Sequence, residues 1–108
     1  MLPKKLRTPI RLFPKNTKSI FSDSNLVIKT HPNNLTYNRL GVLISKQTLK
    51  NAAHRNKLKR KIINLFKNNL LAPNNKTGKD LLIILKAPII KFTDARLKDA
   101  FEKYEQFI

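Results

Sequence analysis

The spacing of hydrophobic residues changes near Asn51, and this change constrains the fold more than any other feature of the sequence. Before it, residues 25–31 and 38–46 alternate between apolar and other side chains, which is typical of strands. From about residue 50 to 69, apolar residues recur every three or four positions, which predicts a helix. Residues 80–88 are then a nearly continuous apolar run of strand length, which predicts a strand covered on both faces.

A second helix is predicted at the end of the sequence. Thr93 is a suitable N-cap and Asp94 favours the first turn. Five apolar residues then follow at helical spacing, namely Leu97, Ala100, Phe101, Tyr104 and Ile108. The order strand, strand, helix, strand, helix predicts one α+β domain over residues 1–108, with helices packed on a sheet. We expect the first two strands to form a hairpin with a long loop.

The first fifteen residues differ from the rest because prolines interrupt a basic segment. Pro3, Pro9 and Pro14 each fix φ and remove a hydrogen-bond donor, so a long helix is disfavoured there. We therefore expect residues 1–15 to form an extended basic arm. The segment 15–21 after it is compatible with a short helix or a turn.

The charge of the chain is large and unevenly distributed. The 108 residues carry 23 Lys and Arg against 6 Asp and Glu, a net charge of +17. Residues 1–79 contain a single acid, Asp23, whereas the bases and acids of residues 80–108 balance. Such an asymmetric field indicates a polyanionic partner, and nucleic acid is the expected one.

The composition argues against several other classes of protein. The absence of cysteine excludes disulfides and thiolate sites. No apolar run is long enough to predict a membrane span. We therefore expect a cytoplasmic protein. Two glycines cannot build a phosphate-cradling loop, and one early carboxylate does not suggest a metal site. An independent nuclease that uses His31 and His54 as acid and base stays open as a minor alternative.

The predicted helix at residues 50–69 is the most basic part of the chain. Six Lys, Arg or His side chains fall between His54 and Lys61, and no acid occurs from Asn51 to Lys79. At 100° per residue, Lys57, Arg60 and Lys61 point away from the apolar stripe, while Arg55 and Lys59 border it. A purely solvated helix normally interleaves glutamate, so this pattern favours a binding surface.

The string "GVLISKQTLKNAAHRNKLKRKI", residues 41–62, resembles the bacterial ribonuclease P protein family. In that family a strand leads through a short turn into a helix marked by an Arg-Asn-basic motif. The matching residues here are Gly41, Ser45, Lys46, Arg55, Asn56, Lys57, Lys59 and Arg60. Weaker similarity extends over nearly the whole chain.

The resemblance implies a fold and a function. The fold is a small α+β sandwich, also found in a ribosomal protein domain, with a central, mostly antiparallel sheet, a βαβ crossover that is left-handed in the family, and a C-terminal helix. The function is that of the protein subunit of ribonuclease P, which binds the catalytic RNA and the 5′ leader of precursor tRNA. Catalysis is then expected in the RNA, which holds Mg²⁺, and the protein is expected as a monomer within the ribonucleoprotein.

The resemblance also implies roles for individual residues. Contact with the catalytic RNA is expected from Lys46, Lys50, Arg55, Asn56, Lys57, Lys59, Arg60 and Lys61. A cleft for the leader is expected from Phe21, Val27 and Lys29, and no residue of the chain is expected to be catalytic or to bind a metal.

The sequence departs from the family pattern at several points. Thr17 and Lys29 replace aromatic residues of the cleft, so leader binding is expected to depend more on charge than on stacking. The short segment 22–24 predicts that an additional small strand of the family is absent. A structural RNA-binding protein, such as a small ribosomal protein, is the main alternative, because it equally explains the charge and the arm. A DNA architectural protein is a third.

Overall fold

A computed structural model describes most of the chain, and after a short first strand its long strands and helices follow the order predicted from the sequence. The described residues are 6–9, 13, 19–45, 47–70 and 78–104, with side chains described up to residue 65 within 47–70. Its elements are β1 (Ser19–Ser22), β2 (Leu26–Pro32), β3 (Arg39–Leu43), α1 (Ala52–Leu70), β4 (Lys79–Leu85), a 3-10 helix (Ala87–Lys91) and α2 (Asp94–Tyr104). Predictions for Thr17, Lys46, Ile108 and most of the basic arm 1–15 fall outside this part.

The four strands form one mixed sheet in the order β1-β2-β4-β3. β2 is antiparallel to both β1 and β4, whereas β3 is parallel to β4, so the β3-α1-β4 segment is the expected crossover. The mostly antiparallel sheet is confirmed, and the hand of the crossover stays a prediction. The predicted hairpin between the first two long strands is wrong, because β4 lies between β2 and β3.

The apolar sequence of β4 explains why this strand takes the interior position. Leu81, Ile83 and Leu85 are buried on one face of the sheet, and Leu82 is buried on the other. A strand that is apolar on both faces is most stable where neighbours pair with both of its edges. A connection over residues 33–38 therefore carries the chain from β2 past β4 to β3.

The short strand β1 corrects two expectations. The segment ending near Phe21 is a strand where it is described, not a helix, and the additional small strand is present. The short connection between β1 and β2 is stabilised by Asp23. Its Oδ1 accepts hydrogen bonds from the backbone N–H groups of Asn25 and Leu26, at 2.7 and 3.0 Å, and closes the turn between β1 and β2.

The core lies between one face of the sheet and the two long helices. Each helix begins at a polar cap, since Asn51 Oδ1 accepts the N–H of His54 and Thr93 Oγ1 accepts the N–H of Arg96. Both helices direct an apolar stripe inward, as predicted. The most deeply buried side chains are Leu26, Ile28, Leu40, Ile62, Leu81, Ile83, Ile89, Leu97 and Phe101.

An ion pair between buried Asp80 and partly exposed Arg39 fixes the end of the sheet remote from β1. Asp80 is only 7% exposed and receives two hydrogen bonds from the Arg39 guanidinium, at 2.6 and 2.7 Å. The side chain of Asn33 donates a third hydrogen bond to Asp80 at 3.0 Å. Gly78 lies beside this group, and a larger residue does not fit there because its Cβ would collide with the backbone carbonyl of Tyr37.

Candidate nucleic-acid interface

Helix α1 presents to solvent three of the six Lys, Arg and His side chains between His54 and Lys61. His54, Asn56, Lys57 and Arg60 are exposed, while Arg55, Lys59 and Lys61 are partly buried beside the apolar stripe. Among the described residues, Lys61 is the one cation of this helix with a carboxylate partner, Asp94. The name α1 basic face is used below for the side chains of Lys50, His54, Arg55, Asn56, Lys57, Lys59, Arg60 and Lys61.

Arg55 differs from the other cations because it also stabilises the turn before the helix. Its Nη1 donates hydrogen bonds to the carbonyls of Leu49 and Lys50, both at 2.8 Å. The same turn is closed by a hydrogen bond between the hydroxyls of Ser45 and Thr48 at 2.8 Å. Arg55 therefore links the end of the β3 segment to the basic helix and positions Lys50 beside it.

Two further contacts set the geometry of the α1 basic face. Lys61 Nζ lies 2.8 Å from Asp94 Oδ1 and joins α1 to the start of α2. This hydrogen bond, with the nearby positive charge, lowers the pKa of Asp94. Arg60 Nε makes only a long contact of 3.4 Å with the Asn56 carbonyl, so its guanidinium stays directed along the exposed side of the helix. Lys61 is thus less available than the sequence predicts.

The three residues expected in the leader cleft do not share one face of the sheet. Phe21 pairs in register with buried Ile28 and packs against Tyr104 of α2, with 5.1 Å between ring centroids. Val27 and Lys29 alternate with Ile28, so they lie on the opposite, helix-free face, where both are partly exposed. The structure therefore brings Val27 and Lys29 together and separates Phe21 from them.

An aromatic residue that the sequence analysis did not single out lies on that outer face. Phe13 is 8% exposed, and its ring centroid is 6.3 Å from that of His31. His31 is two residues after Lys29 in β2 and therefore lies on the same face. Its position among the prolines of the arm was the available signal, because a lone aromatic in a basic segment often packs on the nearest sheet. His31 and His54 lie on opposite sides of the sheet, which argues against their acting as an acid and base pair.

The described residues contain neither a candidate metal site nor a candidate membrane span. Within them, no three His, Asp or Glu side chains are grouped as a metal site would require. Among the same residues, no helix is long and apolar enough to cross a membrane.

Comparison with known proteins decides the family. A family model described as "Ribonuclease P" matches residues 11–106. The chain belongs to the ribonuclease P protein family. Ribonuclease P protein components are 33% identical in Pasteurella multocida, over 88% of this chain and 82% of that protein, and 30% identical in Idiomarina loihiensis, over 82% of this chain and 74% of that protein.

Solved ribonuclease P proteins have the same fold. The Staphylococcus aureus protein superposes with a TM-score of 0.73 at 25% identity, over 98% of this chain and 91% of that one. The Thermotoga maritima protein has a TM-score of 0.72 at 21% identity, over 93% and 91%, and supports the fold alone. The small α+β sandwich with a C-terminal helix is confirmed.

Family membership also settles the class of function. The chain is a protein component of ribonuclease P, part of an endoribonuclease holoenzyme in tRNA processing, and it works with the ribonuclease P RNA. This outcome favours the subunit prediction over a ribosomal protein, a DNA architectural protein or an independent nuclease.

The ribonuclease P domain contains a second polar cluster that the sequence analysis did not foresee. Tyr104 donates a hydrogen bond to Asp23 Oδ2 at 3.0 Å and accepts one from the Asn25 amide at 3.2 Å. Lys86 Nζ donates to the Asp23 carbonyl at 2.7 Å. Asp23 was visible as the only acid before Asp80, but its partners are 63 and 81 residues away in sequence.

Proposed function

We propose that the α1 basic face binds the ribonuclease P RNA. The observation that carries this proposal is the exposure of Lys57 and Arg60 on a helix without a single acid. Ammonium and guanidinium groups attract RNA phosphates and release counterions, which gives strong and salt-dependent affinity. Asn56, exposed beside Arg60, offers both a donor and an acceptor to RNA.

The turn before α1 supports the same assignment. Arg55 anchors the carbonyls of Leu49 and Lys50, so the exposed Lys50 is held next to the first turn of the helix. Partly buried Lys59 and Lys61 extend the positive charge along both edges of the helix. A positive helix N-terminus adds to this field, because its free N–H groups also favour anions. Lys46 is proposed as a contact from its place in the motif alone.

We propose a separate site for the leader of precursor tRNA on the outer face of the sheet. Val27 and Lys29 lie there together. The ring of Phe13 contacts the ring of His31, which follows Lys29 on the same face of β2. Lys29 supplies charge for the backbone, while Val27 supplies apolar contact for a base. Phe21 is left out of this site because its ring packs toward α2.

We further propose that the bond is broken in the RNA subunit, with Mg²⁺ that this RNA binds, and that one copy of the protein acts in a cytoplasmic ribonucleoprotein. The Lys and Arg side chains of the α1 basic face are hydrogen-bond donors without an acceptor atom, so they suit phosphate binding rather than general-base catalysis. The protein's contribution is then to hold RNA and substrate in place.

Tethered cleavage tests both sites. Because the chain contains no cysteine, each introduced cysteine is a unique attachment point. An iron-EDTA group attached to Asn56→Cys should cut ribonuclease P RNA at a few clustered positions. The same group on Lys29→Cys should cut the leader of bound precursor tRNA. Lys98→Cys, on the exposed side of α2, is the control. Equal cutting from Asn56→Cys and Lys98→Cys would contradict the assignment of α1.

A further inference from the structure

A small cavity opens beside the α1 basic face, at the junction of α1, the 3-10 helix and α2. Its volume is about 260 Å³. This is slightly below the range of roughly 300–1,000 Å³ typical of sites for drug-sized ligands, so it suits one ring system. The cavity is separate from the outer face of the sheet, because α1 and α2 both pack on the opposite side.

The inner wall of this cavity is apolar. Leu58 and Leu97 belong to the buried core, whereas Ile90 and Phe92 are only partly buried. The guanidinium of Arg96 lies 4.0 Å from the centroid of the Phe92 ring, a cation-π contact that holds the ring in place. An aromatic side chain is thus available in the wall and fixed in orientation.

The rim of the cavity is positive. His54, Lys57 and Lys61 line it at positions i, i+3 and i+7 of α1, so they follow one stripe of the helix together with Leu58. No carboxylate is among the residues that line this cavity. Asp94 is close enough to pair with Lys61, which leaves exposed Lys57 and His54 as the polar groups at the entrance.

An apolar wall with an aromatic ring and a cationic rim matches one kind of group, a nucleotide whose base is unpaired. We propose that this cavity takes a single unpaired base of the RNA partner. The base packs on Phe92 and Ile90, and its phosphate binds Lys57 at the rim. The inference rests on the proposed function of the α1 basic face and adds to it a contact that reads base shape as well as charge.

Affinity measured over a range of salt concentrations separates this contact from the electrostatic ones. Phe92→Leu keeps an apolar side chain but removes the ring, and it should weaken binding of a bacterial ribonuclease P RNA by about 5- to 150-fold. Ile90→Thr should cause a smaller loss. The slope of log affinity against log salt should not change in either variant, because no phosphate contact is removed.

Ile20→Thr is the matched control, since it makes the same chemical change at the exposed Ile20 of β1. Base-specific chemical modification of the RNA, read in complexes at saturating protein, gives the second measurement. One base protected by the wild type and by Ile20→Thr should become reactive with Phe92→Leu. Unchanged affinity and an unchanged protection pattern in both cavity variants would overturn the inference. Failure of the wild type to bind the RNA would instead overturn the proposed function.

Discussion

Removal of two charges from the exposed side of α1 tests the proposed RNA contact quantitatively. Lys57 and Arg60 are both exposed, and neither has a carboxylate partner within the described part of the chain. If each binds one phosphate, the double substitution Lys57→Ala/Arg60→Ala should flatten the slope of log affinity against log salt by about 1.4–1.8. Between 50 and 200 mM salt, the variant's loss of affinity should then be about 7- to 12-fold smaller than that of the wild type.

The assay is equilibrium binding of a bacterial ribonuclease P RNA at several salt concentrations, together with thermal unfolding. The unfolding midpoint should not fall in the double variant, because neither side chain supports a buried contact. Arg55→Ala is an informative contrast, since the loss of its bonds to Leu49 and Lys50 should lower stability as well as affinity. Lys98→Ala/Lys103→Ala, which removes two exposed charges from α2, is the charge-matched control. An unchanged slope in the α1 double variant, or an equal change in the α2 double variant, would refute the assignment of α1.

Three further predictions concern stability. Arg39→Leu leaves the buried Asp80 carboxylate without its partly exposed cation and should lower the free energy of unfolding by about 1–3 kcal/mol in urea titrations. Unchanged stability would contradict a structural role for this pair. Burial raises the pKa of Tyr104. The stability that neutral Tyr104 contributes is therefore complete below the ordinary tyrosine pKa near 10 and is lost as pH rises through the higher pKa of the folded state. Tyr104→Phe should lose less stability at alkaline pH than the wild type, and identical pH profiles would contradict this. Sulfate should raise the thermal midpoint by binding a folded state with a charge of +17, and no rise over matched chloride would contradict that effect.

The elements of the fold were largely predictable because their hydrophobic spacing is local information. Residues 50–69 predicted a helix, and α1 is Ala52–Leu70. Thr93 was expected to cap the last helix, and its hydroxyl does so. The pairing of strands was not predictable in the same way. A hairpin is the local solution for two successive strands, whereas the apolar faces of β4 favour its insertion between them.

The site shows the same division between local and distant information. Apolar spacing predicted the helix, and the Lys and Arg residues from Arg55 to Arg60 predicted its basic surface. The partners of individual side chains depend on distant segments, as Lys61 shows by its bond to Asp94. The face that Phe21 occupies depends on a bulge in the register between Ser19 and Phe21 and on the tight turn at Asp23, which local spacing does not reveal.

The most direct test of the whole account is reconstituted cleavage of precursor tRNA at low Mg²⁺. A bacterial ribonuclease P RNA is assayed with the wild-type protein, with Lys57→Ala/Arg60→Ala and without protein, and the protein is also assayed alone. We expect efficient and correct removal of the 5′ leader only when RNA and protein are both present, at the full rate with the wild type and at a reduced rate with the double variant. Cleavage by the protein alone, or an RNA activity that the protein does not change, would contradict it.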